Sequence, residues 1–142
     1  MPVERPRLLD LFAAGFAAAA VAGFLVSVAL ILLTHPQGWP AFILPFSLWA
    51  AAWAVIVATL PAMLLGGILT AFRAERRAAW AGTGLLAGLI VHVVMWGLPA
   101  SWNSALFAPE GILLALIDGA IGALAALTFR RTMRRLAERR AS

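Results

Sequence analysis

Four long apolar runs, at about residues 8–33, 41–72, 79–98 and 111–129, take up most of the chain and leave only short connectors between them. A helix rising 1.5 Å per residue needs about 20 predominantly apolar residues to cross a bilayer's hydrocarbon layer, and these runs are of that length. They predict an all-α integral membrane protein of four transmembrane helices. The connectors carry turn signals: THPQGWP after the first run, RAERR after the second and PASWNSALFAP after the third. Each helix is therefore expected to run antiparallel to the next, with residues 1–142 forming a single membrane domain and 130–142 an Arg-rich tail. Composition points the same way, because 63% of residues are hydrophobic and 12% charged, against roughly 45–50% and 25% in soluble domains. The first run is also far longer than the 7 to 15 residues of a signal-peptide core, so it is read as a retained helix.

Arginine sets the expected orientation. Arg5 and Arg7 precede the first run, Arg73, Arg76 and Arg77 lie in the second connector, and six more follow the fourth run. The other two connectors hold none, which under the positive-inside rule puts both termini and the RAERR loop in the cytoplasm. Trp39 and Trp102 in the outer connectors, and Trp80 at the start of the third run, read as interfacial anchors. All eleven basic residues are arginine. We read this as genomic codon bias, which suggests a bacterial source and hence the cytoplasmic (inner) membrane. Cysteine is absent, so no disulfide or thiolate chemistry is available.

A duplication of one helical hairpin is a further possibility. AERRA occurs at 74–78 and 137–141, and AGFLVSVAL from Ala22 aligns with AGLIVHVVM from Ala87, placing Ser27 opposite His92. A chain rich in Ala, Leu, Gly and Val also aligns with itself by chance.

Small residues recur at spacings of four in every run: Gly15, Ala19, Gly23 and Ser27; Ala54, Ala58, Ala62 and Gly66; Gly84, Gly88 and His92; Gly111, Ala115 and Gly119. Helices in lipid associate through such faces, because small side chains let backbones approach. At 100° per residue, Asp118 falls in the same arc as the last stripe and so faces a neighbouring helix. His92 lies seven residues from Pro99 and Asp118 nine from Pro109, depths of about 10 and 13 Å. The two are expected to pair. Ser27, Thr59 and the carbonyl of Val57, which loses its donor to Pro61, are the secondary polar layer. A carboxylate at the centre of a membrane helix costs about 2.5–3.5 kcal/mol on insertion scales. The pair reads either as a structural clamp or as part of a proton or ion pathway.

Phe42, Phe46, Trp49 and Trp53 form a narrow stripe opposite the small face of the second helix, suited to lipid contact and an interfacial aromatic belt, or to docking a larger membrane complex or a pigment or quinone tail. Arg130, Arg131, Arg134 and Arg135 suit anionic lipid headgroups, at about 1 kcal/mol each, and no nucleic acid is expected. Asp10 reads as a capping or interfacial acid near Arg5 and Arg7, and Glu110 as a dipole-compensating start to the fourth helix. Haem ligation by His35 and His92 is disfavoured, because His92 sits about 10 Å deeper than His35. No phosphate loop, zinc spacing or nucleophile with an adjacent base is present, so neither enzymatic activity nor a bound metal or cofactor is expected. Size and helix number invite comparison with small multidrug-resistance exporters, but their carboxylate lies within the first helix, whereas Asp10 is terminal and Asp118 lies in the fourth, so no family is recognised. Two functions are carried forward: an accessory or assembly subunit of a larger membrane complex, or homo-oligomer, and a small proton-coupled transporter or channel using His92 and Asp118.

Overall fold

The computed structural model describes residues 7–34, 40–72, 76–97 and 109–141. These form four helices: α1 (Leu8–Thr34), α2 (Pro40–Ala71), α3 (Arg77–Gly97) and α4 (Pro109–Ala141). Each is long and apolar enough to cross a membrane. Prolines open α2 and α4, where a missing N–H is harmless. Pro45 and Pro61 lie inside α2 without ending it. The fourth apolar run and the Arg-rich tail are one continuous helix of 33 residues, about 50 Å long.

Packing is unequal around the bundle. α1 pairs closely with α2, α3 with α4, and α1 with α4, whereas α2 meets α4 only marginally. Small residues set the close pairs. A Cβ built on Gly84 would overlap the carbonyl oxygen of Gly122, and one on Gly88 would overlap that of Asp118. In the other hairpin, a Cβ on Gly23 would strike the Ala54 side chain. Gly23 and Gly88, aligned in the possible duplication, both sit where the second helix of their hairpin comes nearest.

The core gathers toward the Arg-rich ends of the helices. Phe129 is 2% exposed and joins all four: its ring lies against Gly66 of α2, stacks on Trp80 of α3 at 5.8 Å between centroids, and clusters with Ala14 and Ala18 of α1. Trp80 thus departs from the interfacial role expected of it, being 4% exposed. It stands one helical turn before Gly84 on the same face of α3, so the rotation that turns the glycines inward takes the indole with them. Trp39 and Trp102 lie outside the described residues.

Backbone contact between α3 and α4 leaves no room for a methyl group. Gly84→Ala should lower the melting temperature of the purified protein in detergent, with a destabilisation of about 1–3 kcal/mol. Gly82→Ala, where nothing lies within 4 Å of the added Cβ, should leave it unchanged or slightly raised. Equal melting temperatures for the two variants would mean that this contact does not hold the hairpin.

Candidate functional site

His92 and Asp118 are brought together by the close approach of their helices. Gly88 lies against the Asp118 carbonyl, and His92 follows one turn later on the same face of α3. His92 is 3% exposed, and its Nδ1 is 2.7 Å from Asp118 Oδ2. This is a hydrogen bond in either sharing of the proton: imidazole N–H to carboxylate, or carboxylic acid O–H to imidazole nitrogen. The His92 ring is the buried partner, while the Asp118 side chain retains 20% of its exposure. Among the described hydrogen bonds, Asp118 Oδ1 accepts none.

That remaining exposure opens onto a cleft. α2 and α3 stand apart as two walls, with α1 and α4 behind them, and the space between measures 570 Å³. Asp118, Ser27 and Phe46 line it toward one end; Leu69, Trp80 and Phe129 line it toward the other. Almost all its surface is hydrocarbon, from Ala54 and Ala58 on one wall to Ala87 and Val91 on the other. Asp118 is the only ionisable group among the described lining residues.

The secondary polar layer is rearranged. Ser27 is buried and lines the cleft, but its hydroxyl donates to Phe24 O of its own helix at 2.9 Å. Thr59, also buried, donates to Val55 O at 2.5 Å. In apolar surroundings the nearest unshared acceptor is a carbonyl one turn back, so each hydroxyl is satisfied locally. The Val57 side chain is 69% exposed and does not line the cleft. The 100° step per residue sets it beside the face formed by Ala54, Ala58 and Pro61. No hydrogen bond among the described residues joins Ser27, Thr59 or Val57 to Asp118. His35 lies outside the described residues. Among those described, no group of three or more His, Cys, Asp or Glu is placed to hold a metal.

The burial of Ser47 and the long-range partner of Asp10 escaped the sequence reading. Ser47 is fully buried, and its hydroxyl has no hydrogen-bond partner among the described residues. Its signal was the stripe Ala54, Ala58, Ala62, Gly66 carried back seven residues. Asp10, 6% exposed, accepts from the Arg7 backbone N–H at 3.2 Å, reaching back across the first turn of α1. Its other oxygen accepts from the Arg140 guanidinium at the far end of α4. Asp10 is therefore a cap, as expected, but its side-chain partner comes from 130 residues away, beyond any local pattern. Arg5 lies outside the described residues.

On the outward face of α2, Phe46, Trp49 and Trp53 are 43%, 59% and 51% exposed and form a ladder with ring centroids 5.9 and 6.0 Å apart. The Phe42 side chain lies outside the described residues. On α4, Arg130, Arg131, Arg134 and Arg135 border a second hollow of 430 Å³ together with Arg77 and Glu138. Arg134 and Glu138 form an exposed i, i+4 pair at 3.6 Å.

A double-mutant cycle tests the dyad. Removing one partner strands the other in an apolar interior, so His92→Leu alone should cost more stability in detergent than His92→Leu with Asp118→Leu. The coupling should be about 1 kcal/mol or more, within the range for residues in contact. Additive effects would show that the hydrogen bond carries no stability. Comparison of the chain with protein-family models, curated proteins and solved structures gave no match.

Proposed function

We propose that the chain is a non-enzymatic integral protein of the bacterial cytoplasmic membrane, with antiparallel helices and cytoplasmic termini, serving as an accessory or assembly subunit of a larger membrane complex. The observation that carries this reading is the aromatic ladder of α2. Three large rings stand together on the outward side of the helix least buried by its neighbours, of whose apolar window only 11% is buried. Lipid contact alone asks only for aliphatic chains, whereas clustered rigid aromatics are the residues that anchor protein interfaces. The arginines of α4, with Arg77, supply positive charge for anionic headgroups at the cytoplasmic surface.

A second reading has its own support. Asp118 borders the cleft while hydrogen-bonded to His92, and intramembrane ionisable pairs of this kind carry protons in transporters. That function predicts proton flux from the purified protein in liposomes, lost in Asp118→Leu.

Gentle solubilisation followed by mass analysis should recover larger membrane proteins with the wild type. Trp49→Ala with Trp53→Ala should lose them while helix content, read by circular dichroism, stays unchanged. Loss of helix content in that variant would make the ladder part of the core; a wild type that purifies alone and conducts protons would favour the transporter. Reporters fused after Trp39 and after Trp102 should both read as periplasmic, and a cytoplasmic signal at either would reverse the orientation drawn from arginine.

A further inference from the structure

The cleft between α2 and α3 has a size and a polarity that select its occupant. It extends along α2 from Phe46 to Leu69, a rise of about 35 Å at 1.5 Å per residue. Spread over that length, all the empty space of the cleft, 1560 Å³ with its open side counted, gives a mean section of about 45 Å². A helix about 10 Å across needs roughly 80 Å², so a partner helix does not fit within it. One extended hydrocarbon chain does. The cavity volume of 570 Å³ also lies within the range of about 300–1,000 Å³ usual for ligand sites, which are mostly apolar with a few placed polar groups.

The placed polar group at the Ser27 end is Asp118, while Thr83 lines the cleft toward the Trp80 end. His92 occupies Oδ2, and Oδ1 accepts no hydrogen bond among the described residues although the side chain lines the cleft. The other polar residue at this end, Ser27, already donates its hydroxyl hydrogen bond to the Phe24 carbonyl. An occupant at this level therefore meets an acceptor, and a head that only accepts hydrogen bonds or carries negative charge is disfavoured.

We infer that the cleft binds a single-chain lipid whose head donates a hydrogen bond, an alcohol or an amine, with the chain lying between α2 and α3 and the head on Asp118. This rests on the bilayer placement proposed above and not on the partner.

The full chain in phosphatidylcholine nanodiscs, probed by native mass spectrometry with hexadecanol, hexadecylamine, hexadecanoate and hexadecane, tests it. One equivalent of the alcohol, the amine or both should be retained, at least about fivefold over alkanoate and alkane, as one hydrogen bond allows. Retention of the alcohol alone identifies a neutral donor, and retention of the amine alone a cation. Asp118→Leu should abolish the preference among heads. Ala87→Phe should abolish retention by filling the cleft; if that variant loses its helix content, Ala50→Leu on the opposite wall replaces it. Equal retention of all four probes, preferred retention of alkanoate, no retention at all, or retention unchanged in the folded wall variant would each overturn the inference, the last identifying ordinary boundary lipid. Trp49→Ala with Trp53→Ala should leave retention intact, which separates this failure from failure of the partner interface.

Discussion

The contact on which the site depends is the approach of α3 to α4 at Gly84, Gly88 and Gly122. With no Cβ at these positions, backbone meets backbone, and any side chain there would occupy the volume of the facing helix's carbonyl groups. Such an approach brings many weak dispersion contacts within range along the whole interface. It also fixes register. Once Gly88 rests on the Asp118 carbonyl, His92 one turn on is within reach of the Asp118 side chain, and the 2.7 Å hydrogen bond follows from placement that the glycines have already made.

The same economy explains the cleft. α3 packs on α4, and α1 divides its surface between α2 and α4, whereas no comparable pairing joins α2 to α3 among the described residues. Phe129 spans the gap at one end, where its ring lies against Gly66 and stacks on Trp80. Toward the other end no described side chain bridges α2 and α3 as Phe129 does, and the cleft reaches the level of Asp118. The bundle is thus pinned near its Arg-rich end, where Arg140 also ties α4 to Asp10 at the start of α1, and is open where the acid sits.

Features that depend on one helix at a time were legible in the sequence. The four apolar runs foretold the first three helices and the start of the fourth to within a few residues, the fourth helix running twelve residues past its apolar run to Ala141, and helical rotation placed Gly84, Gly88 and His92 on one face and Asp118 on the facing one. Depth counted from Pro99 and Pro109 then brought His92 and Asp118 to similar levels. What depends on two or more helices was not legible. Trp80 suits an interface by residue type, and only the packing of α4 shows why it is buried. The Asp10–Arg140 pair joins opposite ends of the chain, and the cleft is a property of which faces are left over. In the expected polar layer, Ser27 and Thr59 turn their hydroxyls to carbonyls of their own helices for a local reason: an i−3 or i−4 carbonyl is nearer than another helix.

Magnitudes bear on why an acid occupies this place. Polar contacts between membrane helices average about 0.6 kcal/mol, whereas a carboxylate at the centre of a spanning helix costs about 2.5–3.5 kcal/mol on insertion scales. In the bilayer placement proposed above, the hydrogen bond to His92 therefore offsets only part of the cost of having Asp118 there. Nor do α3 and α4 need it to find each other, since the glycine contacts already define their register. An apolar residue at position 118 would hold the hairpin at lower cost. Stability alone thus gives a poor account of this carboxylate, and its position at the border of the open cleft, with one oxygen held by His92 and the other accepting no hydrogen bond among the described residues, makes interaction with something inside that cleft the more economical explanation.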